Sequence, residues 1–250
     1  EIYFLGKTIK NGDTSLLVHV NKSVLIDTQS SSEYSSVKQM LDDNDITELD
    51  VCIITHYHSD HYGNFENLVN DGYITSNTKL FMPAETTAYP SLDEAIQQFK
   101  EYCENNDLDY NVPEEFSTYN VDDYLSLQFF NTDATVIDSY TDTDPNNTSM
   151  IVLATYKNTK LLYTADARRE VLERMLKENF ANEKINLYKI EHHGINARCC
   201  AQLLQHQSPD VAVHTGGTER FQAGEFSRCE TINILKDCGC YILPTFTQSE

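Results

Sequence analysis

The chain has 250 residues, 40 % of them hydrophobic and 23 % charged, the balance of a globular protein able to bury a substantial core. No apolar run is long enough to cross a bilayer and no signal-peptide pattern opens the chain, so the expected location is cytoplasmic. The net charge is −21, and between Ser91 and Pro145 fourteen acidic residues face one Lys; this argues against an extended nucleic-acid groove, although cations held at a site would still admit a small anionic group.

In chain order, "TSLLVHV" and "KSVLIDT" predict two strands around a polar "NK" turn, an antiparallel hairpin. "SSVKQMLDDND" has helical spacing, "DVCIIT" is a buried strand, and "HSDHYGNFENLVND" begins a helix. "TKLFMP" is a strand stopped by Pro83. "SLDEAIQQFKEYCENN" predicts an acidic helix, with Ser91 as N-cap and Glu94 completing a capping box. After "NVPEEFSTYNVDDY" come four predicted strands, "LSLQFFN", "ATVIDSY", "SMIVLATY" and "TKLLYTAD", rich in β-branched and aromatic residues between Asn, Asp and Thr turns. Alternation then resumes: helix "RREVLERMLKENF", strand "INLYKI", helix "ARCCAQLLQH", strand "DVAVHT", helix "ETINILKDC", strand "CYILPT". Both halves open with strands and add helices later, which predicts a mixed sandwich of two packed sheets with helices outside. No Pro/Gly/Ser linker divides the chain, so residues 1–250 are expected to form one domain. The seven Cys show no CxxC spacing and are expected to be free thiols of a reducing compartment.

The chemistry concentrates in "IITHYHSDHYGN", where His56, His58, Asp60 and His61 fall within six positions directly after an apolar strand. If the chain stays extended past the strand, His56 and His58 point to one side, and Asp60 and His61 follow where the helix starts. A single His there would be satisfied by ordinary hydrogen bonds in a polar loop. Three beside a carboxylate would repel one another when protonated, and as neutral nitrogens they suit Zn²⁺, and also Mn²⁺ or Fe²⁺. Asp166 ends another apolar strand ahead of a helix, and His192 and His193 end "INLYKI". Three strand ends thus present metal-binding groups toward one edge.

These residues resemble the metallo-β-lactamase fold superfamily, whose signature is HxHxDH. "SLLVHVNKSVLIDT" is similar to the family's opening strands, ending in Asp27. "LLYTADA" is similar to the strand whose Asp bridges two metals, here Asp166, and "KIEHHGIN" to the element carrying the last metal histidine. With "NNTSMIVLATY", these stretches look most like the competence-protein (DNA-uptake) and phosphorylcholine-esterase branches, which are treated as phosphodiester hydrolases. The resemblance implies an α+β fold, a four-layer αββα sandwich. It implies two divalent metal ions, Zn first and Mn or Fe as alternatives. His56 and His58 would hold one; Asp60, His61 and one of His192 or His193 the other; Asp166 would bridge them. His193 is the expected ligand, since neighbours in a strand point oppositely, and His192 is expected to face the substrate. Asp60 and His192 are the expected catalytic residues, and a metal-bridging hydroxide the nucleophile.

The chain departs from the family in several places. The family commonly has a further metal histidine before the bridging Asp, but no His lies between His61 and His192. "DTDPNNTS" stands there, offering Asp144, Asn147 or Ser149 toward the first metal. Ala165 replaces a family Gly, Ile195 a Ser, and Gln29 the Gly after Asp27. A redox di-iron role is disfavoured because such members usually carry Glu where this chain has His58. The expected function is a dinuclear hydrolase of a small-molecule or headgroup phosphodiester. A hydrolase of esters, thioesters or lactones and a non-catalytic binding protein on the same scaffold are the alternatives. A choline headgroup would want an aromatic cage, for which the chain has fifteen Tyr and eleven Phe but no Trp.

Overall fold

The computed structural model describes residues 1–5, 12–178, 183–194, 200–219, 224 and 229–245. One sheet contains β1 (Ile2–Phe4), β2 (Ser15–His19), β3 (Lys22–Ile26), β4 (Val51–Ile53), β5 (Lys79–Phe81) and β6 (Tyr110–Asn111), side by side in chain order. The other contains β7 (Thr118–Asn120), β8 (Leu125–Phe130), β9 (Ile151–Tyr156), β10 (Thr159–Tyr163), β11 (Leu187–Lys189), β12 (Val211–His214) and β13 (Tyr241–Pro244), again in sequence order across the sheet. Each sheet begins as an antiparallel meander and continues as parallel strands, from β3 onward in the first and from β10 onward in the second. The helices are α1 (Tyr34–Asp43), α2 (Ser59–Tyr62), α3 (Phe65–Asn70), α4 (Asp93–Asn105), α5 (Ala134–Ile137), α6 (Arg169–Lys177), α7 (Ala201–Gln207) and α8 (Glu230–Asp237).

Strand alternation sorts the apolar side chains into three cores. Leu17, Val24, Ile26, Val51 and Ile53 of the first sheet face Leu127, Phe129, Val152 and Leu161 of the second, forming the inner core. On the outer face of the first sheet, Leu16, Leu25, Cys52 and Leu80 pack on Val37 and Leu41 of α1, Phe65 and Leu68 of α3, and Phe99 and Cys103 of α4. On the outer face of the second, Ile151, Leu153, Leu162 and Tyr188 meet Val171, Leu172 and Met175 of α6, Leu203 and Leu204 of α7, and Ile232 and Leu235 of α8. The result is the αββα four-layer sandwich that the pattern of strands and helices predicts.

Three local expectations change. "ATVIDSY" is helical at Ala134–Ile137 rather than extended, because the Asp133 carboxylate caps the N–H of Thr135 and starts a turn. Ser91 does not cap α4; it lies inside a 3₁₀ turn, Pro90–Leu92, whose first position is held by proline, and the helix begins at Asp93. The β2–β3 turn is made by Val20 and Asn21, with His19 paired to Lys22 in the ladder. Ile195 and the first residues of "ARCCAQLLQH" lie outside the described residues, as do 179–182 at the end of the predicted helix "RREVLERMLKENF".

Parallel strands that run the same way leave their carboxyl ends along one rim, where open α/β sheets place ligands. Asp27 follows β3, the histidine motif follows β4, Asp166 follows β10, and His192 follows β11. Asp13 joins them because β2 runs antiparallel to β3, which sets its start beside the end of β3.

Candidate metal centre

Asp166 is the hub of this rim. Its Oδ2 lies 3.3 Å from His193 Nε2, 3.8 Å from His192 Nε2 and 3.9 Å from His56 Nε2, and its Oδ1 lies 3.3 Å from His61 Nε2. Asp60 Oδ2 is 3.3 Å from His193 Nε2, and His58 Nδ1 is 3.2 Å from His56 Nε2. The fold therefore gathers all seven residues singled out in the sequence: His56, His58, Asp60, His61, Asp166, His192 and His193. The local cause at the first motif is the break in the chain after β4. The chain bends at His56 and Tyr57 rather than staying extended, returns to extended backbone at His58, and the single turn of α2 then swings Asp60 and His61 inward.

The second motif is organised differently from a strand. His192 and His193 sit in a turn where both have left-handed backbone, φ +48° and +53°, followed by Gly194 at +72°. Strand alternation therefore does not separate them, and both Nε2 atoms approach Asp166. The turn is held by His192 N–H donating to the Ala165 carbonyl at 3.0 Å. Gly194 is required here, since a Cβ would fall 2.3 Å from the His214 ring.

Behind these residues stands a layer of carboxylates that the sequence reading did not single out as part of the site. Asp27 accepts from His61 Nδ1 at 2.7 Å, from Thr55 Oγ1 at 2.7 Å and from Thr55 N–H at 2.8 Å. Asp13 accepts from His193 Nδ1 at 3.1 Å and from Thr215 Oγ1 at 2.6 Å, and forms a buried ion pair with Lys189. Lys189 also donates to the Ala165 carbonyl at 2.9 Å and lies 3.8 Å from Asp166 Oδ1. A carboxylate on Nδ1 fixes the proton there and leaves the Nε2 lone pair of His61 and His193 directed at the cluster, the usual support for metal-binding imidazoles. Asp13, His61, Asp166 and His193 form the compact buried group with metal-site spacing among the described residues. Asp13 supports rather than binds in that group, because its oxygens are already taken by Lys189, Thr215 and His193 Nδ1.

The electrostatics suit a cation. Burial opposes charge on His61, yet the Asp166 and Asp27 carboxylates push it up to about 10. Burial likewise opposes charge on His193, and Asp166 with Asp13 raises it well above the ordinary imidazole value. Asp166 would be raised by burial but is held well below the carboxylate range by His193 and His61. The field that retains a proton on these rings is the field a metal ion would meet. His56 behaves oppositely, since burial and His61 hold it low against Asp166. Burial also lowers His192, with Asp166 opposing. His61 Nε2, His193 Nε2 and Asp166 Oδ1 are buried and form no hydrogen bond, although His61 Nε2 lies 3.3 Å from Asp166 Oδ1 and His193 Nε2 3.3 Å from Oδ2. Buried nitrogens and oxygens left this way are costly unless something charged engages them, so the residues present fit a divalent cation.

Exposure divides the cluster in two. His56, His61, Asp166 and His193 are buried, whereas the side chains of Asp60 and His192 keep 33 % and 24 % of their surface in contact with solvent. The mouth of the site thus includes both residues expected to be catalytic, beside His58, which is also only partly buried.

The segment where the family has a further histidine comes close to His56, because Met150 N–H donates to the Thr55 carbonyl at 2.8 Å. Of its three candidates, Asp144 is turned away: its Oδ2 lies 3.0 Å from Arg168 Nε and its Oδ1 accepts from Asn146 N–H. Asn147 and Ser149 are fully buried, and Asn147 Oδ1 and Ser149 Oγ have no hydrogen-bond partner. The rest of the acidic 91–145 stretch serves mostly as scaffold. Glu115 accepts the N–H groups of Asn131, Thr132 and Asp133, and α4 packs on the outer face of the first sheet. Ala165 and Gln29, which stand where the resembled family has Gly, both take left-handed backbone, φ +46° and +64°. This chain pays the steric cost of a Cβ at two positions where glycine would be unstrained.

Two sheets sandwiched between helices, with a His/Asp cluster at the carboxyl ends of their parallel strands, define a metal-binding αββα protein. The profile of the metallo-beta-lactamase superfamily matches residues 8–213, and the chain belongs to that superfamily. Among solved structures, it is similar to a protein from Parabacteroides distasonis ATCC 8503 assigned as a metal-dependent hydrolase, with 17 % identity over 98 % of this chain and 100 % of that one, at a TM-score of 0.55. It is also similar to the metallo-beta-lactamase fold protein YhfI of Bacillus subtilis, with 14 % identity over 97 % and 95 % of the two chains and a TM-score of 0.59. The diiron β-hydroxylase CmlA of Streptomyces venezuelae shares the fold at 9 % identity and a TM-score of 0.59, over 96 % of this chain and 52 % of that one. At such identities the likeness is one of fold. No curated protein matches the chain. No helix among the described residues is long and apolar enough to cross a membrane.

Proposed function

We propose that the chain is a dinuclear metal-dependent hydrolase acting on a phosphodiester of a small molecule or headgroup. The observation that carries this reading is the convergence on Asp166 of four imidazole Nε2 atoms within 3.9 Å, from two separate strand ends. His56 Nε2 and His58 Nδ1 would hold one ion; Asp60, His61 and His193 the other; Asp166 both. Nitrogen and carboxylate donors suit Zn²⁺ first, with Mn²⁺ and Fe²⁺ next. Charge accommodates two ions. Asp13, Asp27, Asp60 and Asp166 against the buried ammonium of Lys189 leave three negative charges, which one divalent cation would fall one short of and two would exceed by one, room for an anion such as hydroxide.

Bound there, such ions supply an activated water and a sink for developing negative charge. The protein's part is orientation. Asp60, half open to solvent, accepts a hydrogen bond from the attacking water and aims it. His192, at the mouth, donates to the anionic oxygen of the substrate. The similarity of "LLYTADA" and "KIEHHGIN" to the competence-protein and phosphorylcholine-esterase branches supports phosphorus rather than carbon as the centre attacked.

The test is elemental analysis of the purified protein, then reconstitution with Zn²⁺, Mn²⁺ or Fe²⁺ and assay on bis(p-nitrophenyl) phosphate beside p-nitrophenyl ester, thioester and lactone substrates. Expected are about two ions per chain and phosphodiester hydrolysis that falls by at least roughly a hundredfold in Asp60→Ala. Fewer than one tightly held ion per chain, or hydrolysis untouched by that substitution, overturns the enzymatic reading. Turnover of esters alone would replace the phosphodiester.

A further inference from the structure

Arg168 lies two residues beyond Asp166, is only 7 % exposed, and joins His192 at the site's mouth to Asp144 behind it. Its Nε lies 3.0 Å from Asp144 Oδ2, and its Nη1 lies 3.1 Å from His192 Nδ1. We infer that Arg168, anchored by Asp144, is a positioning residue that fixes His192 as an Nε2–H donor toward the substrate's anionic oxygen. The inference rests on the proposed hydrolase reading for what His192 does, but not for how it is held.

The argument comes from what each partner can offer. A guanidinium has N–H donors and no acceptor, so in the Arg168–His192 contact the imidazole Nδ1 must accept. A neutral imidazole that accepts at Nδ1 carries its proton on Nε2. That Nε2 stands 3.8 Å from Asp166 Oδ2, at the edge of the cluster and partly open to solvent. A nitrogen bearing a proton has no lone pair for a metal, but it is a donor aimed at whatever approaches the mouth. The other histidines of the hub are set the opposite way: His61 Nδ1 faces the Asp27 carboxylate at 2.7 Å and His193 Nδ1 faces Asp13 at 3.1 Å. Carboxylates only accept, so those rings keep a proton on Nδ1, and it is at Nε2 that a metal ion would displace the second proton and take the lone pair. The adjacent His192 and His193 are thus sorted into donor and ligand by an arginine behind one and an aspartate behind the other. Asp144 completes the device. It comes from the segment that stands where the family has its further metal histidine, and it pairs its charge with the guanidinium from the Nε side, while Nη1 faces the ring.

The test reads the tautomer directly. Protein labelled with ¹⁵N-histidine is recorded metal-free and zinc-loaded by long-range ¹H–¹⁵N correlation, with the His192 signals assigned by their loss in His192→Gln. Expected is a His192 protonated at Nε2 and unprotonated at Nδ1 in both states, whereas His193, which the Asp166 and Asp13 carboxylates keep protonated on both nitrogens without metal, shows the reverse pattern once zinc is bound. In Arg168→Met the His192 signals move to a mixture of tautomers while zinc affinity stays within about threefold. Phosphodiester kcat then falls roughly 10- to 100-fold with a smaller change in KM, the size typical of groups that orient an active-site histidine. Arg168→Lys, which can reach one partner but not both, gives an intermediate result. A His192 protonated at Nδ1 in the unaltered protein, or a His192 Nε2 that takes on the shift of a zinc ligand, overturns the inference without needing any variant to fold. If the tautomer is as expected and no phosphodiester is hydrolysed, the proposed function fails and the positioning stands.

Discussion

Asp13 illustrates how much a single buried carboxylate can organise. It neutralises Lys189, accepts from Thr215 and holds the His193 ring by its Nδ1. Asp13→Ala leaves the Lys189 ammonium buried without its partner, and breaking such a pair costs about 3–5 kcal/mol. Urea denaturation of the metal-free variant should show a loss of that order. Zinc affinity, measured by chelator competition, should fall roughly 10- to 100-fold because His193 loses its orienting group. Lys189→Met paired with Asp13→Leu should recover most of the stability and none of the affinity. At the same scale, the thiols should be inert. Burial pushes Cys103 up to about 12 and raises Cys52 further, and both are fully buried. Ellman's reagent at pH 8 should leave these two unmodified in the native protein and label them after urea is added, as mapped by mass spectrometry.

At the scale of elements, the telling piece is the turn after β11. Three successive residues, His192, His193 and Gly194, take left-handed backbone, which costs about 1–2 kcal/mol at each residue bearing a Cβ. The surrounding structure enforces it through the His192 N–H to Ala165 carbonyl bond and the His214 ring packed on Gly194. Gly194→Ala adds a third such penalty and drives a methyl into His214. It should therefore lower stability by at least about 1–2 kcal/mol and weaken zinc binding together, read by denaturation and competition on the same preparation. Other elements show where local signals were overruled. "ATVIDSY" has the β-branched content of a strand, yet one capping bond from Asp133 makes its first half helical. Ser91 has the spacing of a capping box, yet Pro90 begins a 3₁₀ turn before the helix proper. In both, a neighbouring residue supplied a local hydrogen bond or a fixed dihedral that propensity alone does not register.

Across the whole molecule, the four layers bring negative charge to one rim while the outer surface is acidic as well. The folded protein gathers Asp13, Asp27, Asp60 and Asp166 around a cluster whose buried cations, among the described residues, are Lys189 and, beside His192, Arg168 with its own partner Asp144. Cations that bind this arrangement and not the unfolded chain stabilise it by mass action, about 4 kcal/mol at a thousandfold excess over Kd. For a chain of 250 residues each kcal/mol is worth about 2–4 °C, so stripping the metal with a chelator should lower Tm by roughly 8–16 °C, and re-adding zinc should restore it. A Tm that does not respond to chelator or to zinc would contradict the charge argument for the site.

The sequence by itself determined most of the order of strands and helices, though not β1, β6, β7 or the helical turn at Ala134–Ile137, and the two histidine motifs with Asp166, because alternation, apolar runs and short ligand spacings are local patterns. Those patterns were enough for a two-sheet sandwich with a metal-binding rim. Only the tertiary structure decided that Asp13 and Lys189 face each other across 176 positions, that Asp144 is spent on Arg168, and that His192 and His193 share a turn rather than a strand. The physical reason is that the supporting charges come from separate strand ends. Each alone is one acidic or basic residue in a polar stretch, and its role exists only once burial removes water and leaves the neighbouring charge as its partner.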